Sequence, residues 1–589
     1  MVKSYIPDHP RPQFTRPSWE NLNGTWDFAF DDENQGVKNQ WNRGFPAGKK
    51  ITVPFTYETV KSGIGDESFH PIVWYHRTVV SNAGQETRAL LYFEGCDYLT
   101  MLWVNWQYAG CHSGGYTRFH FDIADFLSPG ENHITVRAED SADVMQPRGK
   151  QRWEKESFGC WYVQTTGIWK SVWLEYVPQT HLESVKMTPR LSERSLDLAW
   201  EINREPGDAR YSLSVDISFE GKPVNRAEFP VLERRGHIRL DVGSPEVDEW
   251  LIKKWEPGHP DLYDIRFELT ANGKKTDAVD SYFGMRDIGI EHGNVLLNGT
   301  PLYQRLVLDQ GYWRDSGLTA PDEAAIAEDI DKTLAMGFNG ARKHQKIEDE
   351  RYAFWCDVKG LLVWCEMPSC YAFGDDMVQN FTDQWVQVVR QFYNHPSVIT
   401  WTPFNESWGV PQIKTARPQQ HFTEAIYHLT KSLDETRPVI TNDGWEHTVS
   451  DILTLHDYEE LGRIFLKRYR DNQDGILKNQ IYYNKHRSAF AGGYEYRGQP
   501  VIISEYGGAA FTGGGKGSWG YGNTVETAEQ YLSRFAGMTA AIKELPWVCG
   551  YCYTQITDVQ QEINGLLDAC RTCKTDMDAI REINLKSPE

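Results

Sequence analysis

From about residue 290 onward, short apolar runs alternate with helical stretches, and this pattern limits the possible folds more than any other feature of the chain. The runs span 302–308, 337–341, 361–364, 398–401, 438–441, 452–455, 501–503 and 548–553. They do not alternate polar with apolar residues, the mark of strands buried on both faces. Between the first two, Ile326, Ile330 and Leu334 recur every four residues over 321–336. Thr319 with Asp322 forms a capping start there, and Gly337 a stop. Eight such strands predict a (β/α)8 TIM barrel over 287–589. An open doubly wound sheet would want a Gly-rich phosphate loop after its first strand, and LYQRLVLDQGYW has none.

Barrel enzymes carry their chemistry just past the C-terminal strand ends. Those positions read Asp309-Gln310, Arg342-Lys343-His344, Glu366, Asn405-Glu406, Asn442-Asp443, His456-Asp457-Tyr458, Glu505-Tyr506 and Gln555. Two carboxylates stand out: Glu406 in VITWTPFNESWG and Glu505 in PVIISEYGG. A facing pair of carboxyl groups is the apparatus of glycoside hydrolysis, one a proton donor with raised pKa and the other an ionised nucleophile. Either alone is as well explained by a salt bridge at a strand end.

The upstream residues read differently. Residues 1–180 are dense in short β-like runs and turn clusters, which predicts a jelly-roll sandwich of two antiparallel sheets. Residues 181–286 continue in alternation over 195–202, 211–219 and 262–269, as in an immunoglobulin-like sandwich of seven or so strands. The chain is therefore multidomain, β followed by α/β.

Charge narrows the partners. With 61 basic and 82 acidic residues the net charge is −21, which repels nucleic acid and anionic membrane surfaces. No apolar run reaches membrane-spanning length. The opening MVKSYIPDHPRPQF lacks the apolar stretch of a signal peptide, giving a cytoplasmic expectation. Ten scattered cysteines predict reduced thiols, with no disulfide framework or zinc site. The 22 Trp, 29 Tyr and 26 Phe suit large sandwich cores, and sugar-stacking surfaces only second.

TWTPFNESWG and VIISEYGG resemble the two catalytic motifs of glycoside hydrolase family 2, the family of β-galactosidases and β-glucuronidases. The resemblance extends over WENLNGTWDFAFD, VWYHRTV, YFEGCDYLTMLWVN, HSGGYTRFHFDI and TTGIWKSVWLE in the first domain. WEPGHPDLYDIRFEL and YFGMRDIGI resemble the close of the second, and LNGTPLYQRLVL and MGFNGARKHQK the barrel entry. It implies that Glu406 is the general acid/base, Glu505 the nucleophile and Tyr458 the residue that holds the nucleophile. It further implies that Asn405 binds the sugar 2-hydroxyl, that the mechanism is retaining double displacement, and that the protein is a homo-oligomer. The substrate expected is a terminal β-linked galactose-like sugar or its uronic acid. A β-glucuronidase, a β-mannosidase or an inactive carbohydrate-binding protein are the alternatives.

Departures from the family pattern matter too. β-Glucuronidases of the family carry Asn-x-Lys after the last strand, whereas here Asn564 is followed by Gly565 and Leu566. The tryptophan that many members carry on that strand gives way to Tyr553-Thr554. The Glu-x-His of the large magnesium-dependent β-galactosidases is missing around Glu366, so neither metal nor other cofactor is expected.

The remaining candidates are open to two readings. Arg342 and Lys343 either pair with neighbouring carboxylates such as Glu366 or bind a substrate carboxylate. Asp309 either caps its turn or accepts from sugar hydroxyls, and His456 either braces Tyr458 or binds sugar. Trp401 and Trp445 lie where a stacking ring would be useful. The basic PRGKQRWEKESFGCWY, with Arg148, Lys150, Arg152 and Lys155, reads as a surface loop, its alternative being a place on the active-site rim.

Overall fold

The computed structural model describes residues 1–46, 48–81, 87–515 and 517–587. The first sandwich packs a four-stranded antiparallel sheet (Trp19–Asn21, Val172–Pro178, Thr87–Phe93, Phe119–Asp122) on a six-stranded one that includes Gly24–Phe30, Ile72–Ser81 and Gly130–Glu139. Trp26, Phe28, Tyr75, Leu91, Phe93 and Val136 from both sheets fill the space between. The second sandwich has seven strands, Leu182–Arg190, Ser195–Ile202 and Arg235–Asp241 facing Lys222–Val231, Tyr211–Phe219, Tyr263–Ala271 and Lys274–Phe283.

The third unit is a parallel barrel. Its strands are β1 (Gln304–Asp309), β2 (Gly340–Lys343), β3 (Leu362–Glu366), β4 (Val398–Thr402, continued by Phe404–Asn405), β5 (Asn442–Asp443), β6 (Leu453–His456), β7 (Val501–Gly507) and β8 (Val548–Thr554). Seven of them form one sheet in the order β4-β3-β2-β1-β8-β7-β6. β5 closes the gap, pairing with the β4 extension on one side. On the other, Gly444 N donates to Thr454 Oγ1 at 3.1 Å and His456 N to Gly444 O at 3.2 Å. The expected run 438–441 makes only the Val439–Trp401 bridge, and the ladder itself falls at Asn442–Asp443.

Leu306, Leu308, Leu362, Trp364, Ile440, Ile502 and Cys552 fill the barrel's interior, and Val295 and Leu297 of a preceding hairpin join them. The first barrel helix, α1 (Glu323–Ala335), is capped by Asp322, whose side chain accepts from Ala325 N at 2.8 Å. Thr319 instead donates to Trp169 O at 2.6 Å, tying barrel to jelly roll. Trp26, Trp103, Trp169 and Trp173 are all buried. The ten cysteines are unbonded. Among the described residues, no helix is long and apolar enough to cross a membrane.

Candidate active site

Strand register decides which strand-end side chains can meet a ligand. On β1 and β2, Leu308 lies beside Arg342 and Asp309 beside Lys343. Side chains alternate between faces along a strand. Leu306 and Leu308 point into the barrel, so Arg342 does too, and Asp309 and Lys343 face the helix layer. There the Lys343 ammonium sits 2.8 Å from Asp309 Oδ2 and 2.7 Å from Glu348 Oε2, over the Tyr352 ring. Asp309 Oδ1 accepts from Gly311 N at 2.7 Å. This corrects two expectations: Asp309 and Lys343 are spent on each other and on the β1 and β2 loops, away from a sugar. Trp401 is a third. It is fully buried against Trp385, and its indole donates to Asp434 Oδ2 at 2.8 Å, so it is helix-layer core.

Arg342 lies at the centre of the barrel mouth, fully buried. Its Nε donates to Glu366 Oε2 at 2.6 Å. Its Nη1 lies 2.7 Å from Glu505 Oε1 and 2.9 Å from Asp443 Oδ2. Its Nη2 donates to Asn405 Oδ1 at 2.7 Å and meets His344 Nδ1 at 3.0 Å. All three nitrogens are engaged inside the protein, so Arg342 is a support beneath Glu505 and not a clamp for a substrate carboxylate. The bond to Asn405 fixes that amide and leaves its Nδ2 without a protein acceptor among the described residues.

Glu505 is held at both oxygens. Tyr458 Oη donates to Oε2 at 2.5 Å, opposite the Arg342 bond to Oε1. The Tyr458 ring stacks on Tyr521, centroids 3.4 Å apart, which brings the Gly-rich segment 510–523 against the site; Lys516 of that segment lies outside the described residues.

Glu406 follows the β4 extension in a left-handed conformation, φ +53°, as does Ser407 at +61°. Such backbone is costly for a residue with a side chain and persists only where neighbours impose it. Here Glu406 N donates to Asp443 O and Ser407 N to Asn442 Oδ1, both at 2.9 Å. The turn aims Glu406 at His456, whose Nδ1 lies 2.9 Å from Glu406 Oε1 and 3.3 Å from Glu505 Oε2. The other ring nitrogen, Nε2, lies 3.0 Å from Asp443 Oδ2. His456 is fully buried, and among the described residues its ring nitrogens face the carboxylates of Glu406, Glu505 and Asp443. Trp445 presents its edge to His456, centroids 5.5 Å apart, and Arg487 covers its face at 4.1 Å.

The charges of this cluster are coupled. Burial alone would discharge His456, but Glu505 and Asp443, with hydrogen bonds to Asp443 and Glu406, outweigh it and raise the ring to about 10. Burial likewise pushes Glu406 up, yet the hydrogen bond and charge of His456, then Lys150 and Arg342, hold it below the usual carboxylate value. That differs from the raised pKa expected of a proton donor, and the imidazolium is the reason. Glu406, His456 and Glu505 each offer a ligand atom within 4.8 Å of the other two. A protonated imidazole has no lone pair for a metal, and Arg342 already supplies the counter-charge, so the donor set does not suit a cation.

One wall comes from the jelly roll. Trp161 packs edge-on against Trp408 and Tyr371, with Trp153 and Phe158 behind it. Arg148, Lys150 and Arg152 of the same segment are buried, so it is no surface loop, although Lys155 is exposed. Tyr162 Oη donates to Glu562, which also accepts from Asn564 Nδ2 at 3.0 Å. Sequence reasoning assigned no role to Asp443, Glu562 or Tyr521. The strand-end position was a usable signal for the first, and there was none for the other two.

A parallel eight-stranded barrel with two glutamates meeting across its mouth, behind two β-sandwiches, is the architecture of a class of glycoside hydrolases. Residues 19–178 match the family description "Glycosyl hydrolases family 2, sugar binding domain", 180–286 "Glycosyl hydrolases family 2" and 288–585 "Glycosyl hydrolases family 2, TIM barrel domain". The chain belongs to glycoside hydrolase family 2. Among curated relatives it is similar to a putative β-glucuronidase of Formosa agariphila, 29% identical over 74% of this chain and 52% of that protein. A β-galactosidase of Thermoanaerobacter pseudethanolicus is 23% identical over 77% of this chain and 58% of that protein. The chain thus spans between half and three-fifths of the length of these two relatives. Among solved structures, a β-galacturonidase from Eisenbergiella tayi bound to glycerol superposes with a TM-score of 0.76 at 18% identity, over 100% of this chain and 99% of that one. A β-glucuronidase from Ruminococcus gnavus in complex with D-glucuronic acid gives 0.78 at 17%, over 99% and 100%.

Proposed function

We propose that the protein is a retaining exo-β-glycosidase that removes a terminal β-linked galactose-like sugar or its uronic acid. The observation that carries this is the approach of Glu406 and Glu505, whose nearest ligand oxygens lie within 4.8 Å of each other. Retaining enzymes hold their carboxyl groups about 5–5.5 Å apart, whereas inverting ones leave room for a water at about 6.5–9.5 Å.

In this reading Glu505, held at one oxygen by Arg342 and at the other by Tyr458, attacks the anomeric carbon. Glu406 passes the proton it shares with His456 Nδ1 to the leaving oxygen. It then takes a proton from the water that releases the sugar, and the free Nδ2 of Asn405 donates to the sugar ring's hydroxyls. The relatives named β-glucuronidases support a second glycone, β-glucuronide. Turnover of aryl β-galactoside, β-galacturonide and β-glucuronide tests the reading: hydrolysis of at least one, with the β anomer formed first, is expected. No turnover of any, or release of the α anomer, contradicts it.

A further inference from the structure

The jelly roll sends one cation into the barrel mouth. After strand Gly130–Glu139 the chain docks on the loop beyond β3, where Arg148 N and Gly149 N both donate to Ser369 O, at 2.9 and 3.1 Å. Gly149 has φ +60°, and a Cβ there would lie 2.4 Å from Gln345 O, so only glycine lets the backbone come so close. Lys150 follows, its carbonyl accepting from Tyr162 N at 2.8 Å, and it is only 8% exposed. The position of Lys150 is therefore fixed by backbone on both sides.

Its flanking cations are used within their own domain. Arg148 donates to Ser141 O at 2.5 Å and Asp143 O at 3.3 Å, and Arg152 to Gln164 Oε1 at 2.9 Å. Lys150 forms no ion pair with any carboxylate among the described residues; the Cys160 thiol lies near it. The carboxylates whose charge reaches it are Glu562, Glu406 and Glu505. Burial alone would discharge it, and Cys160 with these three glutamates outweighs burial and keeps it an ammonium. A buried ammonium with no ion-pair partner has lost its hydration without a counter-ion, unless a ligand brings one.

The cations of the neighbouring strands and loops are paired within the protein. Arg342 is engaged at all three nitrogens. Lys343 is held by Asp309 and Glu348, and Lys346 by Glu348, Gly311 O and Leu318 O. After the last strand, Lys574 donates to Asp558 and Ile563 O.

We infer that Lys150 is the specificity residue for an anionic sugar, its ammonium binding the carboxylate of a β-linked hexuronic acid seated on Glu406 and Glu505. This rests on the glycosidase reading for its geometry. It explains how a site walled by three glutamates, in a chain of net charge −21, could admit an acidic glycone: one buried cation reverses the field locally.

The test compares wild type, Lys150→Met and Lys150→Arg on para-nitrophenyl β-galacturonide, β-glucuronide and β-galactoside, with calorimetric binding of free galacturonate and galactose. In Lys150→Met the ratio of kcat/KM for the preferred uronide over the galactoside should fall about 10- to 100-fold, mostly through KM, with Lys150→Arg recovering part of it. Galacturonate binding should weaken by a similar factor, and galactose binding by less. An unchanged ratio, or a wild type that accepts only the neutral galactoside, overturns the inference. A selective loss on a galactoside with a carboxylated aryl group, and none on the uronides, overturns it as well by moving the carboxylate to the leaving group. If wild type hydrolyses nothing in the panel yet galacturonate binding depends on Lys150, the carboxylate site stands and the hydrolase reading falls.

Discussion

His456 Nδ1 lies 2.9 Å from Glu406 Oε1, and this contact couples the protonation of the two side chains, the acid/base pair of the proposed mechanism. With the ring raised to about 10, the pair carries one proton across the neutral range. The kcat/KM profile should therefore keep its plateau through neutral pH and fall on the basic side toward about 10. A basic limb near the ordinary histidine value of about 6.5 would contradict the account. The same shift has a stability consequence. A raised histidine contributes stability fully below its unfolded value, about 6.5, and loses it as pH rises through the folded one. Tm should thus decline between about 6.5 and about 10 in wild type, and less steeply in His456→Gln.

His456→Gln also separates acid assistance from the rest of the reaction. The variant should lose about 10²–10⁴-fold on substrates with poor leaving groups, and much less on an activated aryl glycoside. Equal losses on both would show that His456 only shapes the cluster.

Tyr458→Phe removes a hydrogen bond to Glu505, the nucleophile of the proposed mechanism. Such bonds contribute about 1.5–3 kcal/mol, so kcat should fall roughly 10- to 150-fold with a folded protein. An unchanged kcat would place Tyr458 outside the chemistry.

Arg342→Ala leaves Glu366, Asp443 and Glu505 without their shared cation. Removing one partner of a buried ion pair costs about 3–5 kcal/mol, and Tm should drop accordingly. The activity loss should be equal on acidic and neutral glycosides. Loss on uronides alone would restore Arg342 as a carboxylate clamp.

Trp401→Phe probes the helix layer. Losing the indole bond to Asp434 should cost about 1–3 kcal/mol of stability and leave KM unchanged. A raised KM with unaltered Tm would make Trp401 a sugar platform after all.

Much of this was legible in the sequence because barrel strands are local signals. Seven of the eight apolar runs overlap a strand of the main sheet, and only 438–441 gives way to Asn442–Asp443, where the β4 extension supplies a partner. Glu406 and Glu505 follow from their strand-end positions. Asp309, Lys343 and Trp401 were misplaced by reading position without parity, although alternation from Leu306 and Leu308 already turns Asp309 outward. Lys150 depends on a contact between domains, Gly149 against Ser369 and Gln345, which no local pattern announces.

The central claim is that Glu505 forms the covalent bond to the sugar. Wild type should be incubated with the 2-deoxy-2-fluoro form of whichever aryl β-glycoside it hydrolyses, and its intact mass and peptide map recorded. One added glycosyl unit on the peptide carrying Glu505, absent in Glu505→Gln, is the expected result. An adduct on another residue, or turnover with inversion and no adduct, would contradict it.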